Sequence, residues 1–206
     1  MTEVTTARFL LLAPDKQVRE TWQARLEPFG SVRVTRTAES ARREVGRARA
    51  GYTALVVEVD VDTREVQRLI QAMRKQAPEA PILLVTEEPA RGEKLLASSA
   101  VRMAMRGAAF EETRYFIGAA VALAQTENPA IAQAVEGLAR NHEMTVKQMQ
   151  LTALSTTDIG RDALIDGLGV SHNTVKTRIR HLLRMHEVET LDGLGKRVLR
   201  DALARA

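Results

Sequence analysis

Five side chains near the end of the chain have types and spacing suited to one kind of chemistry. Asn173, Lys176, Thr177, Arg180 and Arg184 recur at i, i+3, i+4, i+7 and i+11, which on an α-helix collects them along one side. A ridge of amide, ammonium and guanidinium donors suits a partner rich in acceptors and negative charge. The edge of a guanine can accept from Lys176 or Arg180 at O6 and N7, and Thr177 can touch a thymine methyl. His172, Asn173, Thr174 and Arg178 suit phosphate contacts, which position a helix without reading sequence. Val175, Ile179 and Leu182 fall at i, i+4 and i+7 and make a separate apolar stripe to bury. Ser171 precedes this helix as an N-cap, where its hydroxyl accepts from a backbone N–H of the first turn. Gly169 permits the tight turn before it.

Other chemistries find no support. The chain has no cysteine, so disulfides, thiolate metal sites and cysteine nucleophiles are excluded. The four histidines, His142, His172, His181 and His186, form no HExxH pair and lie with no acidic cluster at metal spacing. His181 and His186 read as helix-surface residues, and Trp22 as a core or linker-facing aromatic. No GxGxxG, GxxxxGK[ST] or GxSxG stretch occurs. No catalytic site, metal or cofactor is expected.

The elements that must carry these residues fall into two halves. Arg8–Ala13, Ser31–Thr35, Thr53–Val59, Pro81–Thr86 and Arg102–Arg106 read as strands. Lys16–Pro28, Ala38–Ala50, Val66–Gln76, Gly92–Ser98 and Glu111–Gln125 read as helices between and after them. Strands apolar almost throughout and separated by helices predict a parallel sheet covered on both faces, a flavodoxin-like doubly wound α/β domain. After Gln125 the strand-like runs stop. Ala130–Arg140 reads as a helical connector, followed by helices near Val146–Leu154, Arg161–Gly167, His172–Met185 and Thr190–Ala204. The expected domains are therefore 1–124, a helical linker over 125–143, and an all-α domain over 144–206.

Composition agrees with this division. With 206 residues the chain is long enough for two small cores, and with 3% aromatic residues those cores must be built from Leu, Val, Ile and Ala. The net charge of +4 permits nucleic-acid binding without establishing it. The longest apolar runs are strand-sized, and Met1–Thr6 has no basic stretch leading into an apolar core. No membrane contact is expected, and the location is expected to be cytoplasmic, at the nucleoid.

The segment Leu168–Arg180, LGVSHNTVKTRIR, resembles the helix-turn-helix of LuxR/NarL-type response-regulator output domains. The likeness covers about the last sixty residues, and Ile165 stands where that family has a small alanine. The front half, over about residues 8–122, resembles response-regulator receivers. Those receivers hold a divalent cation with an acidic pair after the first strand and carry a nucleophilic aspartate at the end of the third. A hydroxyl ends the fourth strand and a lysine the fifth.

Aligned with these positions are Ala13 and Pro14 with only Asp15 following, Glu58 for the nucleophile, Thr86 for the hydroxyl and Arg106 for the lysine. Asp60 is the acceptor only if the alignment slips by two residues. Met103 replaces the aromatic switch residue. The resemblance thus implies a degenerate receiver that does not accept phosphate. Glu58 reads as a leftover polar residue at a strand end, in preference to a mimic of phosphoaspartate.

The expected activity is sequence-specific binding of double-stranded DNA by a transcription regulator that is not an enzyme. It would act as a homodimer through the receiver-like domain (Gly92–Gln125) and be controlled by a regulatory protein or small ligand. Two other readings stay open: a receiver-coupled RNA-binding antiterminator, and a protein-binding signalling adapter that touches no nucleic acid.

Overall fold

The computed structural model describes residues 5–58, 63–87, 95, 101–105 and 110–204. The expected helix over Gly92–Ser98, apart from Leu95, and the positions Asp60 and Arg106 lie outside the described residues. Two compact units meet in sequence between Ala120 and Val121.

The first unit holds a five-stranded parallel sheet of β1 (Ala7–Leu12), β2 (Gly30–Thr35), β3 (Ala54–Glu58), β4 (Ile82–Thr86) and β5 (Val101–Met105). The order β2-β1-β3-β4-β5 is the flavodoxin-like doubly wound topology. Between the strands run α1 (Lys16–Leu26), α2 (Ala38–Arg47) and α3 (Thr63–Gln76), and α4 (Phe110–Thr126) follows β5. Alternation along the strands sends Leu10, Leu12, Leu55, Val57, Ile82 and Leu84 to one face, where they join Ala41 and Val45 of α2 and Val66, Leu69 and Met73 of α3 in one cluster. Their neighbours Phe9, Leu11, Val56, Leu83 and Val85 are buried as well, so both faces of the sheet are covered. Trp22 is a core residue, 2% exposed beside buried Val18 and Leu26 of α1.

At the open edge, β2 alternates between partly buried and exposed positions. There Arg33 reaches Glu44 of α2 at 2.8 Å. That ion pair raises the Arg33 pKa and holds the Glu44 carboxyl below its usual range. An exposed pair of this kind contributes little stability, but a charged edge discourages pairing with a further strand.

The second unit is helical: α5 (Pro129–Asn141), α6 (Val146–Leu154), α7 (Arg161–Leu168), α8 (His172–Met185) and α9 (Leu191–Leu203). Local chemistry starts most of them. Asn128 caps α5 by accepting from Ala130 and Ile131, with Pro129 at its first position. Thr145 and Gln148 form a reciprocal capping box at α6, and Thr190 caps α9. The segment expected as a connector is well packed: Ile131, Ala132, Val135 and Leu138 of α5 are buried, and α5 lies against α6 and α9. Helix α9 also lies against α6, where Gly195 is buried and a Cβ on it would stand 2.1 Å from the Ser155 carbonyl oxygen. No helix among the described residues is long and apolar enough to cross a membrane.

Candidate nucleic-acid interface

Two helices and a three-residue turn build the site. Leu164 and Leu168 anchor α7 at 4% and 7% exposure. Ile165, which replaces a small residue of the resembled family, is only half-buried. Gly169 then takes φ +61, a left-handed conformation that a Cβ disfavours. Ser171 is extended, and its Oγ accepts the Thr174 N–H at 3.3 Å. The Ser171 carbonyl receives the first helical bond of α8 from Val175 at 3.0 Å. The turn glycine and serine cap thus fix where α8 starts and in which direction it leaves.

On α8 the side chains sort as their spacing requires. Val175 and Leu182 are fully buried and Ile179 is partly so. Asn173, Lys176, Thr177, Arg180 and Arg184 are all exposed, and at about 100° of rotation per residue they occupy a sector of about 100°. From Asn173 to Arg184 the ridge runs about 16 Å along the axis. The helix holds no acidic residue among its 14, and Lys176, Arg180 and Arg184 pair with no carboxylate among the described residues. The ridge is therefore a rigid row of available donors. His172 is exposed at the start of the helix, and Thr174 and Arg178 are partly buried on its flank.

Sequence reasoning did not include Lys147. It stands on α6, 31 residues before Arg178, yet both line one cleft with Thr145, Gln148, Thr177 and His181, of about 510 Å³. Burial, and after it the Arg178 charge, lowers the Lys147 pKa. The Nη1 atom of Arg178 is buried without a hydrogen-bond partner.

His186 corrects an expectation. It does not lie on the helix surface, as His181 does, but is 1% exposed. Helix α8 stops at Met185, and Glu187 takes φ 52. The Val188 N–H then returns to the Leu183 carbonyl at 3.0 Å. That left-handed C-terminal turn swings the ring inward against His142. Burial, followed by His142 and Arg197, lowers its pKa to about 4.

In the first unit, the carboxyl ends of the strands bring Ala13, Asp15, Glu58 and Thr86 to one edge of the sheet. Ala13 is fully buried and Pro14 is exposed. The Asp15 carboxylate caps α1, accepting the Val18 N–H at 2.9 Å. Glu58, 2% exposed, accepts the Asp15 backbone N–H through Oε2 at 3.4 Å. Thr86 is fully buried at the end of the adjacent strand β4. Among the described residues no group of three or more His, Asp or Glu side chains is placed to hold a metal ion.

No family model matches the chain, and no curated protein matches it. Solved structures do share its fold. Full-length FixJ from B. japonicum is similar with TM-score 0.50 and 16% identity, over 97% of this chain and 99% of that one. The adenylate cyclase from Rhodopirellula baltica gives TM-score 0.50 and 16% identity over 66% of this chain and 98% of that one. A response regulator protein from Burkholderia pseudomallei, with a phosphorylated aspartic acid, gives 0.44 and 18% over 82% and 96%. At these identities the likeness of the two structures at TM-score 0.50 is one of fold, a parallel receiver-type sheet.

Proposed function

We propose that this chain is a sequence-specific regulator of transcription that binds double-stranded DNA and works without aspartyl phosphorylation. One observation carries the reading: α8 buries Val175 and Leu182 while holding Asn173, Lys176, Thr177, Arg180 and Arg184 exposed, with no acid on the helix. A capped helix of this kind, set by a glycine turn after a shorter helix, suits the major groove. Lys176 and Arg180 would read guanine edges and Thr177 a thymine methyl. Ser171, His172, Asn173, Thr174 and Arg178 would hold the backbone, and Arg184 would extend the ridge.

The division of labour follows the expected domains, with a pseudo-receiver over 1–124, a connector over 125–143 and a LuxR/NarL-like helix-turn-helix domain over 144–206. Loss of phosphoacceptor chemistry is supported by the same residues that define the sheet edge. The one carboxylate after β1 is occupied in capping α1, and a glutamate, Glu58, ends β3. Paired half-sites need a twofold protein, so the active form would be a homodimer through residues 92–125, part of which lies outside the described residues. Such a protein would work at the nucleoid, its regulatory input a protein or small ligand at the pseudo-receiver.

The test is recovery of bound fragments from the whole genome, followed by titration of the recovered duplex. Replacing Lys176 and Arg180 with alanine should cost about 1–3 kcal/mol each on the selected site and relax preference at the bases they contact. Equal binding to every duplex before and after substitution would remove base reading. Preference for RNA hairpins would favour the antiterminator, and a stoichiometric protein partner without DNA binding the adapter.

A further inference from the structure

We propose that Asn173 is a base-reading residue that specifies an adenine, so that the recognised half-site combines an adenine with the guanines taken by Lys176 and Arg180. This inference rests on the DNA-binding reading above and moves Asn173 from the DNA backbone to the base edges.

Place on the helix separates Asn173 from the other residues assigned to phosphates. With Asn173 as the origin and about 100° per residue, Lys176 lies at about −60°, Thr177 at about +40°, Arg180 at about −20° and Arg184 at about +20°. Asn173 is therefore at the centre of the ridge. His172 and Thr174 lie on its flanks at about −100° and about +100°, and Arg178 at about +140°. Side chains on the flanks of a groove helix face the two phosphate backbones, whereas those at its centre face the base edges. Asn173 also belongs to the first turn of α8, which starts at His172. In helix-turn-helix proteins the N-terminal residues of the groove helix are the ones that contact base edges.

Contacts within the chain sort the same residues in the same way. The Ser171 Oγ and Thr174 Oγ1 atoms lie 2.9 Å apart, and Ser171 Oγ accepts the Thr174 N–H, so both hydroxyls are engaged in the cap. The Asn173 side chain is exposed and makes no hydrogen bond among the described residues. Its amide offers a donor and an acceptor side by side. A phosphate presents acceptors alone and would leave Asn173 Oδ1 facing negative charge. Adenine presents the matching pair in the major groove, N7 accepting and N6 donating, and takes both bonds from one asparagine. The Gly169 turn and the Ser171 cap already hold the backbone of this turn, so little order has to be created on binding.

The experiment uses the full chain to select duplexes from a library with a randomised core. Affinities for the selected duplex and its single-base variants are then measured by anisotropy over a series of salt concentrations. In the wild type one position of each half-site should demand adenine. Asn173→Ala should reduce discrimination at that position by roughly five- to a hundredfold, leave the guanine positions unchanged and keep the slope of log affinity against log salt. Asn173→Arg should turn the preferred base there from adenine to guanine. Thermal midpoints identify a variant that fails to fold, in which case the other variant decides. An Asn173→Ala chain that keeps the wild-type base profile overturns the proposal, and a slope smaller by about 0.9 would then return Asn173 to a phosphate. Loss of guanine preference in Lys176→Ala and Arg180→Ala would in that event leave the DNA-binding reading standing. A wild-type chain that selects no duplex removes both.

Discussion

His142 and His186 meet edge to face, with ring centroids 4.6 Å apart and planes at 75°. They come from the C-terminal caps of α5 and α8, so one contact joins the end of α8 to the helix that packs on α6 and α9. Neither ring nitrogen of His186 has a hydrogen-bond partner, and Arg197 donates to the His186 carbonyl at 2.7 Å.

Burial of both ring nitrogens without a partner favours the neutral form of His186, so stability should depend on pH. Its folded pKa of about 4 lies below the ordinary 6.5. Below about pH 6.5 the unfolded chain takes up a proton that the folded chain refuses, so stability falls as pH drops towards 4. The full effect is about 3 kcal/mol, reached near pH 4. Urea denaturation between pH 7 and 4.5 should show this slope in the wild type and a flatter one in His186→Leu. Parallel curves would assign the acid sensitivity to other groups.

The Ser171 hydroxyl closes the first turn of α8. Ser171→Ala should cost about 1 kcal/mol of stability. It should also weaken duplex binding more than the lost stability explains, because the first turn carries Asn173 and Thr174. Ser171→Asp should restore the cap while adding a negative charge beside the DNA, so stability should recover and affinity should not. Melting temperature and anisotropy together separate the two effects.

Gly195 and Gly46 should respond in opposite directions to the same substitution. A Cβ at Gly195 would meet the Ser155 carbonyl at 2.1 Å, whereas one at Gly46 meets nothing within 4 Å. Gly195→Ala should force α9 off α6 and destabilise the helical unit by about 1–3 kcal/mol or more. Gly46→Ala lies in the last turn of α2 at an ordinary helical φ and should stabilise the sheet unit by up to about 0.5 kcal/mol. Denaturant midpoints followed by circular dichroism measure both.

Phosphoryl donors should leave the protein unchanged. With the Asp15 carboxylate on the Val18 N–H and Glu58 on the Asp15 N–H, acetyl phosphate or beryllofluoride with magnesium should change neither oligomeric state nor duplex affinity. Intact-mass measurement should find no added phosphate. Glu58→Ala should keep DNA affinity within about twofold, since a factor of two is only about 0.4 kcal/mol. A large loss would instead make Glu58 a standing mimic of phosphoaspartate.

How much of this was legible in the sequence follows the range of the interactions. The limits of α6 and α8, the Gly169 turn, the Ser171 cap and the exposed ridge depend on residues within about four positions of one another, and spacing alone determines them. The parallel sheet was equally accessible, because strands buried on both faces are apolar almost throughout. Other features depend on distant partners. Helix α5 was expected as a connector because its Ala-rich pattern does not announce the helices it meets. Lys147 joins Arg178 across 31 residues, Glu58 meets the Asp15 amide across 43, and Gly195 has to be small because of Ser155. His186 looked like a surface residue because helical spacing ends with the helix. Only the left-handed turn at Glu187 and the neighbour it finds in His142 decide that the ring points inward. Periodicity encodes which side of a helix is apolar, but not which other helix will press against it. That second quantity belongs to the tertiary fold.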